Sequence, residues 1–254
     1  MKERGSRQGP YHSFCDDYYV NMNLNTEMDL PQNRETVLHF FEQVKKSYPT
    51  MRNFYGRERG EFVLEEDKDQ GHYRWTSVET RRVSSGYVNP NTVEEALKQH
   101  AHILDLIPYA LSISPLDCES LNVMYGFDYT YRGNHNQLLV DALGVQPAFE
   151  KIPEIPGATV LANEPSIQFA LDEDCRLQCR LSVETRTTAY HVKTKEFPEE
   201  QLSVYFTARR YGSLETGETF ISAMQKLAET CRDVVDNYVV ENVLRPLQQA
   251  IAIR

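Results

Sequence analysis

The chain has 254 residues and a formal net charge of −10, with 41% apolar and 25% charged residues. This composition excludes a disordered or fibrous protein, and the length gives either one large domain or two small ones. The acidic charge is spread along the chain, whereas binding to duplex nucleic acid needs a concentrated basic surface. Nucleic acid is therefore not an expected partner.

The longest apolar stretches cover only a few residues, and the first residues, MKERGSRQG, are polar. A transmembrane helix needs about 18 apolar residues, so neither membrane insertion nor export is predicted. The five cysteines form an odd and sparse set in a chain long enough to fold without disulfides. We expect a reducing, cytoplasmic location.

An internal repeat is the strongest pattern in the sequence. Residues 62–81 read FVLEEDKDQGHYRWTSVETR and residues 169–186 read FALDEDCRLQCRLSVETR, so both segments finish in the same five letters. The sequence LNVMY at 121–125 is echoed by LSVYF at 202–206. Two matches in the same order predict a duplication that gives two related halves.

Three prolines in the segment GVQPAFEKIPEIPGA indicate a linker, because proline interrupts regular elements. The predicted organisation is a flexible tail over 1–16, a first half over 17–143, a Pro-rich linker over 144–158 and a second half over 159–254. The tail holds the only cationic run, formed by Lys2, Arg4 and Arg7.

Apolar and polar residues alternate in the second copy of the repeat, which predicts a β-hairpin with one apolar face. The residues expected on that face are Ile167, Phe169, Leu171, Cys175, Leu177, Cys179, Leu181 and Val183. A later strand shows the same alternation at Leu202, Val204, Phe206 and Ala208.

Helical spacing of apolar residues follows Asn33 as far as Pro49, and again follows Thr92 as far as Pro108. A long C-terminal helix is predicted from a stripe of residues three or four apart: Phe220, Met224, Leu227, Cys231, Val234 and Tyr238. Together these elements predict an α+β fold of two related halves, in which antiparallel sheets are packed by amphipathic helices.

Two groups of potential metal ligands do not predict a metal site. Cys175 and Cys179 would project from one strand face about 13 Å apart, too far for one zinc ion or a disulfide, so we interpret them as core residues. The tail group of His12, Cys15, Asp16 and Asp17 has no second pair at ligand spacing. No phosphate-binding loop or nucleophile motif is present, and no cofactor is predicted.

The candidate binding face is an aromatic row on one strand, formed by Tyr125, Phe127, Tyr129 and Tyr131. Such a row can stack planar ligands or bases. It can equally pack beneath a helix or form a subunit interface. Because the surrounding charge is acidic, core or interface packing is favoured over base stacking. His100 shares an apolar helix face with Leu97 and Ile103. A hydrogen-bonded core histidine is the favoured interpretation, with a catalytic base as the alternative.

The order of elements resembles a sporadically distributed bacterial family of uncharacterised proteins. The residues that carry the resemblance are Met28-Asp29-Leu30 after the opening strand, Tyr48-Pro49 at a helix end, and the helix and strand between His102 and Tyr125. The resemblance spans most of the chain and implies the α+β fold. It implies no activity, cofactor or site.

Three functions remain open at this point. The first is a non-catalytic binding or scaffold protein that self-associates, or takes a protein partner, through a sheet edge or the aromatic row. The second is a small-molecule enzyme or sensor with a pocket between sheet and helices, using His100, Tyr129 or Tyr131. The third and weaker one is binding of single-stranded nucleic acid by the aromatic row and the basic tail.

Overall fold

The computed structural model describes residues 9–57 and 60–253, so the basic residues of the predicted tail lie outside the described part. The described strands form one antiparallel sheet in the order β2-β3-β4-β5-β1-β6-β9-β8-β7. Their bounds are β1 Asp17–Thr26, β2 Asn53–Arg57, β3 Glu61–Glu65, β4 Tyr73–Val78, β5 Arg82–Val88, β6 Cys118–Tyr131, β7 Ser166–Ala170, β8 Leu177–Glu184 and β9 Glu200–Tyr211. The mixed α+β class is confirmed, but the expected separate sheets are wrong, because β1 and β6 pair along their lengths and join all the strands.

The α-helices are α1 Arg34–Ser47, α2 Val93–Ala110, α3 His135–Leu143, α4 Ala189–Thr194, α5 Phe220–Val234 and α6 Arg245–Ala252. Two of them begin where the sequence predicts: Asn33 Oδ1 accepts from the Thr36 amide at 2.8 Å, and Thr92 Oγ1 accepts from the Glu95 amide at 3.3 Å. Over residues 9–57 and 60–253, no helix combines the length and apolar character that crossing a bilayer requires.

The two faces of the sheet differ in what covers them. On β1, Tyr18, Val20, Met22 and Leu24 are fully buried, whereas the alternating Tyr19, Asn21, Asn23 and Asn25 are only half-buried. Helix α2 contacts β1 and β5 on the buried side, and α5 contacts β6 and β9. We call this side the helix-covered face and the opposite side the open face.

The predicted strand phase is confirmed for the end of the hairpin and for β9. Cys179 and Val183 are buried, as are all four residues predicted on the inner face of β9. The prediction is wrong for Cys175, which is exposed in the hairpin turn with a left-handed φ of 55°. Asp172 closes this turn by accepting from the Leu177 amide at 3.0 Å, so the strand begins only after Cys175.

The C-terminal helical run keeps its predicted inward stripe through Cys231 and then changes phase. A π-helical segment, Val235–Leu244, connects α5 to α6, and Tyr238 is 63% exposed rather than inward as predicted. Hydrogen bonds spanning five residues instead of four rotate the following side chains. Two asparagine side chains in this segment donate to carbonyls four residues back, Asn237 to Asp233 at 2.9 Å and Asn242 to Tyr238 at 2.8 Å.

The packing of the described residues bears on the predicted tail and linker, and the domain boundaries stay a prediction. Tyr11 is buried in the core and donates to Asp236 Oδ1 at 2.8 Å, so the core begins before residue 17. The segment 144–158 is mostly exposed, but it lies between α3 and β7. This segment therefore lies within the group of elements from β6 onward, not at the start of that group. The echo between 121–125 and 202–206 links β6 with β9, which are paired neighbours rather than matching positions.

The two SVETR segments stand at matching places in the strand order. From Val78, successive paired residues run through Val83 and Leu24 to Leu121. From Val183, they run through Val204 and Phe127 to Tyr18. The two rows therefore cross the central β1–β6 pair in opposite directions. The earlier part of the repeat does not match, because Phe62 pairs with Val78 whereas Phe169 pairs with Cys179.

We expect Tyr11→Ala to lower the free energy of unfolding by about 3 kcal/mol, because a buried aromatic ring is lost from the core. Urea denaturation followed by circular dichroism measures the change. Tyr109→Ala is the control, since Tyr109 is 88% exposed and its loss should cost less than about 0.5 kcal/mol. Equal stability of the two variants would show that the segment before β1 contributes nothing to the core.

Candidate binding site

The aromatic row predicted as a binding face lies on the helix-covered face. Tyr125, Phe127 and Tyr129 are buried, and the Tyr129 hydroxyl donates to the Leu244 carbonyl at 3.2 Å. Tyr131, at the end of β6, is half-buried and packs near the His135 ring, with 5.8 Å between ring centroids. The row therefore belongs to the core, which is one of the alternatives left open by the sequence, and it offers no exposed stacking surface.

His100 is also sealed in the core. Its Nδ1 lies 2.9 Å from Ser85 Oγ, and its Nε2 lies 3.2 Å from the Val20 carbonyl. A carbonyl only accepts, so Nε2 carries the proton and the Ser85 hydroxyl donates to Nδ1. Burial lowers the pKa of His100 to about 3, so the ring is neutral at physiological pH. These contacts match a hydrogen-bonded core histidine and keep it away from solvent.

The open face carries two hollows. One, of about 400 Å³, lies over β8 and β9, and its lining includes Arg180, Arg209, Glu184, Tyr205 and Tyr211. We call it the basic hollow. The other, of about 550 Å³, lies over β1, β3 and β4, and its lining includes Tyr19, Tyr73, Trp75, Glu65, Lys68 and Asp128. We call it the aromatic hollow. Sheet pairing places Asn21 of the aromatic hollow beside Met124 of the basic hollow.

Two glycines allow aromatic rings to lie flat against the open face. A Cβ atom on Gly86 would come within 2.2 Å of Trp75 Nε1, and one on Gly126 within 2.2 Å of Tyr19 Cε2. Both distances are far below van der Waals contact, so only glycine fits beneath these rings. The Trp75 and Tyr19 rings are thereby held as fixed walls of the aromatic hollow.

Carboxylates surround these rings. Asp128 is only 9% exposed and accepts from the Tyr19 hydroxyl at 3.4 Å. Burial raises the pKa of the Asp128 carboxyl, and the neighbouring Asp17 carboxylate adds to the rise. Glu65 lies 3.0 Å from the Lys68 ammonium. Among the described residues, the buried Asn21 Oδ1 accepts no hydrogen bond. The hollow thus combines aromatic walls with oxygen acceptors.

The basic hollow has a different chemistry. Arg209 Nη1 donates to the Tyr211 hydroxyl at 3.1 Å, and its guanidinium lies 5.6 Å from the Tyr211 ring centroid. Arg180 Nε donates to Ser166 Oγ at 3.2 Å. Within the described part of the chain, neither hollow is lined by a histidine. Cys179 borders the basic hollow, but it is buried, and burial raises the pKa of its thiol to about 11. The described ranges contain no cluster of three potential metal ligands.

The open face was not predicted, because the apolar residues of each strand mark only the helix-covered face. The opposite phase of β1 reads Tyr19, Asn21, Asn23, Asn25, and asparagine is depleted in ordinary strands. Glycine inside two strands was a second signal of close ring approach. Both signals were readable, but neither could say which strands would become neighbours.

We expect Gly86→Ala to displace Trp75, the single tryptophan of the chain, and to lower the free energy of unfolding by about 1–3 kcal/mol. The fluorescence emission of the folded variant should shift to longer wavelength as the indole becomes more exposed. Gly56→Ala is the matched control, because a Cβ there meets nothing closer than 3.9 Å. Identical spectra for Gly86→Ala and Gly56→Ala would contradict the placement of Trp75.

We expect the destabilisation caused by His100→Gln to shrink as the pH falls. The folded pKa of His100 is depressed, so below about pH 6.5 the unfolded chain binds a proton that the folded chain does not, and the wild type loses stability relative to the variant. From about pH 6.5 to about pH 4.5 the difference should decrease by about 2–3 kcal/mol. Urea unfolding of both proteins at each pH measures it, and a constant difference would contradict a buried neutral ring.

No protein-family model matches the chain, and no curated protein matches it. Among solved structures, alkyldihydroxyacetonephosphate synthase is similar in two crystal forms, at 11% and 10% identity with TM-scores of 0.18 and 0.17. The alignments cover 92% of this chain and 43% or 42% of the synthase chains, so the chain spans less than half of their length. Similarity at this level supports no conclusion about fold or function.

Proposed function

We propose that the protein is a non-catalytic binding protein that self-associates by pairing its β7 edge with the β7 edge of a second copy. Strand β7 is the last strand of the sheet. The Val183 amide donates to the Pro165 carbonyl, and the Leu171 amide donates to the Leu177 carbonyl. Because backbone bonding alternates along an antiparallel pair, Ile167 and Phe169 are the β7 residues whose backbone groups face β8. The backbone groups of Ser166, Gln168 and Ala170 therefore point outward and are available to another strand.

The β7 edge lacks the usual protection against pairing. Natural edge strands carry charged side chains, proline or bulges. The strand reads SIQFA, which contains no charge and no proline, whereas the opposite edge strand β2 reads NFYGR and ends in the exposed Arg57. This difference favours β7 over β2 as the pairing edge.

An apolar groove beside β7 is the observation that carries the proposal. Ile167 and Leu171 are 59% and 50% exposed on the helix-covered face. They border a groove of about 780 Å³, which we call the β7 groove and whose other lining includes Leu181, Phe206, Val234, Tyr238, Val239 and Val243, with Glu229 and Asp233 at the rim. Exposed apolar surface of this kind marks interaction sites.

At the other end of the sheet the corresponding surface is covered by a helix. There α1 packs against β2, with 5.7 Å between the ring centroids of Phe41 and Phe54. Helix α3, which follows β6 as α1 follows β1, contacts α6 instead. A second copy supplies the missing cover, because a twofold antiparallel pairing brings the same uncharged edge and the same apolar side chains from both chains.

The proposed origin of this architecture is an internal duplication. The matching rows through the two SVETR valines support it, as does the placement of α2 on β1 and β5 against that of α5 on β6 and β9. In this scheme the matching units are residues from β1 to α2 and residues from β6 onward, so the halves meet before β6 rather than at the linker.

The second candidate function is small-molecule binding or sensing at the open face, supported by the two hollows. A pocket using His100 and Tyr129 between sheet and helices loses its support, because both residues are sealed in the core. Binding of single-stranded nucleic acid stays the weaker alternative, since its aromatic row is buried. A cytoplasmic location stays an expectation from the cysteine count.

We expect Ile167→Lys to shift the protein from dimer to monomer at micromolar concentration, because a buried unpaired charge would lie in the paired edge. Analytical ultracentrifugation measures the mass. Ile167 is largely exposed in the single chain, so the fold should persist, which circular dichroism checks. Leu116→Lys is the control, since Leu116 is 77% exposed and lies just before β6, which β9 and β8 separate from β7 in the sheet. A wild-type protein that sediments only as a monomer would overturn the proposal.

A further inference from the structure

We propose that the aromatic hollow is a binding site for an organic cation, namely an alkylammonium or guanidinium group. The site goes beyond self-association and lies on the opposite face of the sheet from the β7 groove. Its walls are the Tyr19, Tyr73 and Trp75 rings. A positive charge over aromatic rings is stabilised by their negative faces, and tryptophan is the strongest partner.

The chain itself shows that these walls accept an ammonium group. The Lys68 Nζ lies 5.3 Å from the Tyr73 ring centroid and 3.0 Å from Glu65. The Lys68 side chain is about half exposed, at 49%, so it reaches the hollow from its rim and can leave it at little cost. Lys68 thus contacts the Tyr73 ring and the Glu65 carboxylate, and the Tyr19 and Trp75 rings remain for a ligand cation.

The carboxylates of the lining, Asp17, Glu61, Glu65 and Asp128, outnumber its two cations, Arg57 and Lys68, and Arg57 is paired with Glu61 at 3.3 Å. The charge balance of the lining therefore favours a cation over an anion. Asp128 is nearly buried, and the Tyr19 hydroxyl that it accepts from is neutral. Hydrogen bonds from Ser203 and Tyr19 and the charge of Arg186 only partly offset the burial that raises the pKa of Asp128. An entering cation would therefore stabilise the ionised carboxylate further.

The basic hollow provides an internal contrast on the same face. Its lining carries Arg180 and Arg209, with Glu184 as its carboxylate. In the basic hollow the guanidinium groups outnumber the carboxylate, so a cation would be repelled, whereas in the aromatic hollow the carboxylates outnumber the cations. The inference is therefore specific to the aromatic hollow, and the basic hollow supplies control variants of similar exposure.

The test uses Trp75 as the reporter, because it is the only tryptophan of the chain and lines the site. Butylammonium chloride is titrated into the full-length protein, with butan-1-ol as an uncharged probe of the same length. We expect saturable fluorescence quenching by butylammonium and none by butan-1-ol. The titration is repeated on Ile167→Lys, so that the result does not depend on self-association.

Three variants sharpen the test. Lys68→Gln removes the internal ammonium and should tighten butylammonium binding about fivefold, whereas Tyr73→Leu should weaken it about fivefold, the ratio equivalent to one cation–π contact of about 1 kcal/mol. Tyr211→Leu in the basic hollow should leave binding unchanged. Lys68→Gln alters an exposed side chain and is expected to fold, so the test remains decisive if Tyr73→Leu is unstable.

The same titration with the peptide acetyl-Gly-Lys-Gly-amide identifies the source of the cation. Binding of the peptide much tighter than butylammonium assigns a protein segment as the ligand, and equal binding assigns a small amine. Both outcomes support the site. The proposal is overturned if neither probe quenches Trp75, if butan-1-ol quenches as well as butylammonium, or if Lys68→Gln leaves the affinity unchanged.

Discussion

The antiparallel pairing of β1 with β6 is the constraint on which the rest of the structure depends. This pair runs from Asp17 opposite Asp128 to Thr26 opposite Cys118 and joins the strands on both sides into one sheet. Because side chains alternate along each strand, this register sends Val20, Met22, Val123 and Tyr125 to one face and Asn21, Asn23, Asn122 and Met124 to the other. A slip of one residue would exchange the core with the open face.

The elements that sequence predicted correctly are those with a local physical signal. The helix after Asn33 has its cap, its apolar stripe and its terminating proline within the single continuous segment 33–49. The inner face of β9 was readable for the same reason, since Leu202, Val204 and Phe206 alternate with smaller or polar residues. Cys175 and Tyr238 were misplaced, because a left-handed turn residue and a π-helical segment each change the side-chain phase without an apolar signal.

The candidate site was beyond the reach of the sequence for a different reason. The row from Tyr125 to Tyr131 looked like a binding face, but α5 and the π-helical segment, which come much later in the chain, cover it: α5 contacts β6, and the Leu244 carbonyl accepts from the Tyr129 hydroxyl. The aromatic hollow combines Tyr19 from β1, Trp75 from β4 and Asp128 from β6. No spacing in the sequence relates these residues, and only the strand order makes them neighbours.

The π-helical segment between α5 and α6 limits how the C-terminal run can change its length. Each α-helical residue turns the chain by about 100°, so removing one residue from this segment would rotate all of α6 by that angle. The buried Leu247 would leave the core, and the Leu244 carbonyl would move away from the Tyr129 hydroxyl. Insertions and deletions are therefore expected to be poorly tolerated in this stretch of helix, although it lies far from either hollow of the open face.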